Sequence, residues 1–337
     1  MNLRNLVVGS FLCGISSTIT FAQDSLISVI AEPGDGVYSL LRKHGLNPSD
    51  NWANFMELNA AKLKDGDQLY SGYAYVLPRF GTPANSTDSV FETPNSYPIF
   101  GPAYASVEVE GNDLKNAVIY LVSGHGGPDP GAVTSYGNTQ ISEDEYAYDV
   151  TLRLARKLIT QGALVYVIVR DPNDGIRDTR ILEMDKDEVV FPDLAIPHGQ
   201  LARLKQRAEA VNTLYRKHGG AYQRLIVTHV DSRSKGQNID VFFYHHEKSN
   251  SGKQLAENIH ETFRQKYAKF QPNRLYTGTF EDRTTLYMVK NTLPPTAFIE
   301  IGNLRNTQDQ KRILDPDNRQ ALANWIFEGI LLDYKSR

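Results

Sequence analysis

Ala117-Val118-Ile119-Tyr120-Leu121-Val122-Ser123-Gly124-His125-Gly126-Gly127-Pro128-Asp129-Pro130-Gly131-Ala132 opens with six apolar residues and then breaks abruptly into glycine, histidine and proline. An uninterrupted apolar run of this length, closed by turn residues, reads as a strand buried on both faces. Such strands belong to parallel sheets covered by helices. The glycines after Ser123 let the chain turn sharply and leave the His125 imidazole exposed at the strand's end.

Working outward, the same alternation repeats. Tyr146 to Leu158 carries Val150, Leu154, Ala155 and Leu158 at helical spacing, and Ala163 to Val169 is a second buried strand. A helix follows over 201–214, a strand over 225–228, a helix over 254–267, a strand over 296–301 and a final helix over 319–332. Val241 to Tyr244 reads as a further strand. Alternating strands and helices define an α/β fold with a mostly parallel sheet flanked by helices. Ligands of such sheets lie beyond the carboxyl ends of the strands. His125, His229 in Thr228-His229-Val230-Asp231, and Glu300 in Phe298-Ile299-Glu300-Ile301-Gly302-Asn303 all fall at or near such ends.

Two histidines and a carboxylate can hold a zinc ion with one position left open for water, the arrangement of a catalytic site. Zinc lowers the pKa of a water and polarises a carbonyl, which suits amide hydrolysis. Glu300 lies between two isoleucines, where a carboxylate is costly unless it is paired or used. It is the candidate to accept the water's proton and return it to the leaving amine; a buried structural ion pair is the competing reading. Glu143 and Glu145 both open the helix that follows the glycine loop. Glu143 is in line with Ala147, Val150 and Leu154, whereas Glu145 is rotated away, so Glu143 is preferred as third ligand and Glu145 stays open. The histidines His198, His218, His245, His246 and His260 lack the strand-end and glycine setting and are not expected to bind metal.

From Ala117 to Leu332 the order His, Glu, His, Glu and the Gly124-His125-Gly126-Gly127-x-Asp129-Pro130-Gly131-Ala132 and Phe298–Asn303 motifs resemble the zinc-dependent N-acetylmuramoyl-L-alanine amidases that cut bacterial peptidoglycan. The resemblance implies that His125, a glutamate near 143, and His229 bind Zn2+, and that Glu300 is the catalytic carboxylate. It implies cleavage of the amide between N-acetylmuramic acid and L-alanine, in cell separation or wall turnover. Arg283 is a weaker candidate to stabilise negative charge. Asp231 is read either as a residue that orients a ligand or touches substrate, or as a loop cap. Residues 171–198 form an acidic stretch longer than the family's usual connection, read as a solvated loop or as a lid walling the substrate groove; calcium there lacks EF-hand spacing. The segment between His229 and Gln254 is too short for the family's autoinhibitory helix, so no protein activator is expected. Two other readings stay open: a catalytically silent peptidoglycan-binding protein, and a zinc peptidase acting on another bond of the stem peptide.

Toward the N-terminus, residues 25–80 read as strand, helix, helix, strand. The Pro33-Gly34-Asp35-Gly36-Val37-Tyr38 turn, Leu58-Asn59 and Val76-Leu77-Pro78 resemble the LysM carbohydrate-binding module. Residues 81–99, rich in Thr, Pro, Asn and Ser, read as a linker to a catalytic domain over 100–337. Residues 1–22 read as a secretory signal: Arg4, a short apolar stretch from Leu6 to Ile15, and small residues in Thr20-Phe21-Ala22. That stretch is too short to span a membrane. Cys13, the only cysteine, lies within it. The expected destination is across the inner membrane, periplasmic or cell-wall associated. Once this segment is removed, no thiolate remains to ligate metal or form a disulfide. With 337 residues, 41% hydrophobic, and a net charge of −3, the chain can build a large core and gives no reason to expect nucleic acid or a membrane surface as partner.

Overall fold

The computed structural model describes residues 28–78, apart from 33, 34, 45, 47, 61 and 64–68, and residues 95–337, apart from 232–239. The expected signal segment and Cys13 lie outside the described residues, as does most of the expected linker. The chain divides into two compact units, Met1–Thr87 and Asp88–Arg337.

The first unit runs β1 (Ser28–Ile30), α1 (Val37–Lys43), α2 (Pro48–Leu58) and β2 (Ala74–Val76). The two strands pair antiparallel, Val29 opposite Tyr75. Val37, Leu40, Leu41, Phe55, Tyr75 and Leu77 form its small core. Buried Asn59 ties the end of α2 to β2: its amide donates to the Phe55 and Val76 carbonyls, both at 2.8 Å, and accepts from the Val76 N–H at 2.7 Å. An amide so placed satisfies backbone groups that would otherwise be stranded in the core.

The second unit begins with β3 (Ala117–Ser123), a hairpin of β4 (Val133–Tyr136) and β5 (Thr139–Ser142), and α3 (Glu143–Thr160). Next come β6 (Leu164–Val167), the short strands β7 (Val169–Arg170), β8 (Val189–Val190) and β9 (Leu194–Ala195), and α4 (Gln200–Lys217). The chain finishes with β10 (Tyr222–Asp231), β11 (Phe242–His245), α5 (Asn250–Phe270), β12 (Thr279–Asp282), α6 (Tyr287–Asn291), β13 (Thr296–Asn303), α7 (Thr307–Leu314) and α8 (Pro316–Lys335). Residues 95–99, expected as the end of the linker, are held by this unit through Tyr97 N–H to Ala105 and Val107 N–H to Asn95.

The central sheet has the order β12-β11-β13-β10-β3-β6. The strands β6, β3, β10 and β13 are mutually parallel, and β11 turns antiparallel against β13. The expected α/β sheet flanked by helices is therefore present. Every residue of β3 is buried. Ala117, Ile119 and Leu121 face α3, α5 and α8, while Val118, Tyr120 and Val122 face α4 and α6. This alternation explains why the strand reads as one apolar run.

The strand expected over 163–169 is interrupted. Ile168 still donates to the Leu121 carbonyl at 2.8 Å, but its own carbonyl accepts from Phe191, and β7 joins β8 and β9 in a separate antiparallel sheet. Since β6 is the edge of the central sheet, Leu164 is 46% exposed rather than buried. The 171–198 stretch is packed in part: Leu182, Val190, Asp171 and Glu188 are buried, while Asp178, Glu183, Asp187 and Asp193 are exposed. Arg319, fully buried on α8, fastens much of it. Its Nε donates to Asp149 at 2.6 Å and its Nη2 to the Arg177 and Thr179 carbonyls at 2.8 and 2.9 Å.

Candidate active site

Parallel pairing of β10 with β13 sets His229 directly opposite Glu300, and the register slips just after, between His229 and Asp231. Because Leu225, Val227 and Phe298 face α4 and α6, period two sends His229 and Glu300 to that same side. The ring of Phe298 stacks on His229 at 4.7 Å between centroids. On the adjacent strand, the chain leaves β3 through Gly124 and places His125 in the left-handed region at φ 63°. A Cβ on Gly124 would stand 2.3 Å from the His229 ring, so only glycine lets the two histidines come together. Their rings meet edge to face at 4.9 Å.

Glu143, first residue of α3, reaches between them. Its Oε1 lies 2.9 Å from His229 Nδ1 and its Oε2 3.3 Å from His125 Nε2. The backbone N–H groups of Val230 and Ala132 hold the two oxygens at 3.1 and 3.0 Å. Glu145 does not enter this group; its Oε2 pairs with Arg177 at 2.8 Å. The three donor atoms of His125, Glu143 and His229 all lie within 4.8 Å of one another. Two imidazoles and one carboxylate, cradled by a glycine that admits no side chain, fit a zinc ion as donor set.

Three residues around this group have no place in the sequence reading beyond the motif that contains the first of them. Asp129 Oδ2 lies 3.0 Å from His125 Nδ1 and accepts from Arg203 Nη2 at 2.7 Å. Arg207, one turn along α4, donates to the His125 carbonyl at 2.6 Å. The signal for these arginines was their spacing: two cations four apart on the helix face that also carries Ala208, Val211 and Leu214.

Burial works against a charged His125, but the Asp129 and Glu143 carboxylates outweigh it and raise its pKa to about 10. Burial also opposes ionisation of Glu143, yet its bonds to the two histidines hold it well below the usual carboxylate range. His229 is lowered by burial, with Glu143 opposing. Of the two rings beside Glu143, only His125 is favoured in its charged form.

These residues line a cleft of about 620 Å³ that also holds Glu300 and Arg305. A second cavity of about 270 Å³ shares Glu300 and Asp231 with it and is walled by Arg283, whose guanidinium sits 4.9 Å over Tyr244. Glu300 is only 7% exposed. Of the other histidines, His245 is buried with Nδ1 3.0 Å from the His246 carbonyl, and His218 Nε2 lies 2.9 Å from the Tyr166 hydroxyl, both away from the cleft.

The pattern of one family, N-acetylmuramoyl-L-alanine amidase, matches residues 119–331. The chain belongs to this family and is a peptidoglycan amidase. It is 28% identical over 227 residues to the germination-specific N-acetylmuramoyl-L-alanine amidase of Bacillus subtilis, which covers 65% of this chain and 80% of that protein. Among solved structures, an amidase of Clostridioides difficile in complex with the GerS lipoprotein matches at a TM-score of 0.48 and 21% identity, over 65% of this chain and 98% of that one. The Ami1 amidase of Mycobacterium smegmatis matches at 0.47 and 14%, over 66% and 99%. The first of these structures contains a second protein, whereas no protein activator is expected here from sequence.

Proposed function

We propose that this enzyme hydrolyses the amide between the lactyl group of N-acetylmuramic acid and L-alanine, with zinc held by His125, Glu143 and His229 and with Glu300 as the proton carrier. The observation that carries the reading is the convergence of those three donors beside Glu300, in one cleft at the carboxyl edge of the parallel strands. The chemistry a zinc ion supplies in such a place is a lowered water pKa and a polarised carbonyl.

The chain's own residues do the rest. Asp129 accepts the Nδ1 proton of His125, so Nε2, on the Glu143 side, would be the nitrogen that holds zinc. Arg203 fixes Asp129 in turn. Buried Glu300, on the wall of the cleft, takes a proton as the water oxygen adds to the carbonyl carbon. It returns that proton to the alanine nitrogen as the C–N bond breaks, leaving a lactyl carboxylate and a free amine. Arg283, in the adjoining cavity, is placed to meet the negative charge of a stem peptide or of the reacting carbonyl.

The first unit acts as a LysM-like glycan holder, presenting exposed Trp52, Tyr70 and Tyr73 to sugar faces. Its tether raises the local concentration of substrate for the amidase domain. The protein works outside the inner membrane, in the periplasm or at the cell wall, on glycan strands and stem peptides, in cell separation or turnover. Among the described residues no helix is long and apolar enough to cross a membrane.

Mass spectrometry of purified muropeptides after digestion tests the bond assignment. The expected products are peptide-free glycan and an intact stem peptide with a free alanine amine. Shortened stems still attached to glycan would identify a peptidase instead, and glycan binding with no cleavage would identify a silent binder.

A further inference from the structure

Beside the glycine loop, four carboxylates gather around Glu188. Asp144, Glu145 and Glu188 have donor oxygens within 4.8 Å of one another, and so do Asp171, Asp185 and Glu188. Four of the five are buried, Asp144 at 2% exposure. Only Glu145 among them has an ion-pair partner among the described residues, Arg177, which also serves Asp174. Backbone N–H groups satisfy single oxygens: Gly127 on Glu188 at 2.6 Å, Asn173 and Asp174 on Asp171 at 2.8 and 2.6 Å, and Glu145 on Asp144 Oδ1 at 3.0 Å. The other Asp144 oxygen, Oδ2, is buried with no hydrogen-bond partner. A buried carboxylate oxygen without a hydrogen-bond partner, on a residue grouped with Glu145 and Glu188, costs several kcal/mol unless a cation completes it.

We propose that Asp144, Glu145, Asp171, Asp185 and Glu188 form a second cation site, for calcium, that fastens the 171–190 segment to the first turn of α3. The donor set is all oxygen, with no imidazole, which selects a hard dication over zinc. Two carboxylate triads that share Glu188 supply oxygen donors toward calcium's six to eight once backbone carbonyls or waters join. Glu188 also holds the Gly127 N–H, so filling the site stiffens the loop that carries His125. The site shares no ligand with the one proposed for zinc.

Thermal unfolding of the full chain, stripped of metal and then given 2 mM CaCl2, tests it. Calcium is expected to raise Tm by about 3–5 °C, as binding at roughly tenfold above Kd does in a domain of this size. The rise should disappear in Asp185→Asn and in Glu188→Gln, and persist in His229→Ala. Asp185 is half-buried, so its amide variant folds even if Glu188→Gln does not. No rise in the wild type, an equal rise with MgCl2 or matched NaCl, or an undiminished rise in Asp185→Asn would overturn the proposal.

Discussion

Asp129 Oδ2 stands 3.0 Å from His125 Nδ1, while the opposite nitrogen of that ring faces Glu143. One carboxylate therefore fixes the tautomer and angle of a residue that the other carboxylate meets. Outer partners of this kind typically contribute 10–100-fold in metal affinity. Asp129→Ala is expected to weaken zinc binding by about that factor while leaving the fold intact, as measured by competition with a chromogenic chelator. Arg203→Ala should show a smaller loss, because Gly131 N–H still holds Asp129 Oδ1 at 3.2 Å.

Glu143 and Glu145 differ by two residues and point to different chemistry. Glu143→Gln should abolish stoichiometric zinc. Glu145→Gln should keep zinc and cost about 1–3 kcal/mol in stability by leaving Arg177 short of a buried partner. Elemental analysis and urea unfolding of both proteins separate the two roles, and retention of zinc by Glu143→Gln would reverse them.

Arg319 is the buried cation that joins α8 to Asp149 on α3 and to the carbonyls of Arg177 and Thr179. Arg319→Leu strands the Asp149 charge with Arg153 as its remaining ion pair, at 2.7 Å. The expected loss is about 3–5 kcal/mol, seen as a lower urea midpoint. A loss below about 1 kcal/mol would mean the network is not cooperative.

Asp185 gives a pH signature. Its folded pKa, raised from 3.8 to about 7 by burial and then by the Asp171, Asp187, Glu145 and Glu188 charges, means the folded state holds the proton more tightly. Stability from that protonation is present below the unfolded pKa and is lost as pH rises through about 7. In chelator, the wild type should therefore fall behind Asp185→Asn between about pH 4 and pH 7, and saturating calcium should close the gap. A constant difference across that range, read by unfolding midpoints, would contradict the assignment.

Much of this was legible in the chain. The runs at 117–122, 225–227 and 297–299 are apolar at every step because helices cover both faces of β3, β10 and β13, and strand ends then located His125, His229 and Glu300. The helical stripe that favoured Glu143 is less decisive in three dimensions, since every residue from Glu143 to Ala155 is buried. What separates Glu143 from Glu145 is reach across the strand ends, which no periodicity encodes. The β4–β5 hairpin escaped notice because its strands are four residues each and mostly polar, although Gly137-Asn138 is a turn signal between them. The acidic stretch read as a loop or lid because its charges look solvated in one dimension; the burial of Asp171 and Glu188 within it is not encoded in local sequence. Asp129 and Arg203 were invisible as a pair for the same reason, being 74 residues apart.

The account stands most directly on Glu300, register partner of His229 and half of no metal group in the described residues. Zinc content and muropeptide cleavage should be measured side by side for the wild type and Glu300→Gln. About one zinc per chain in both, with cleavage at least ~100-fold slower in the variant, is the predicted result. Wild-type cleavage by Glu300→Gln, or undiminished cleavage by wild-type protein stripped of zinc, would contradict it.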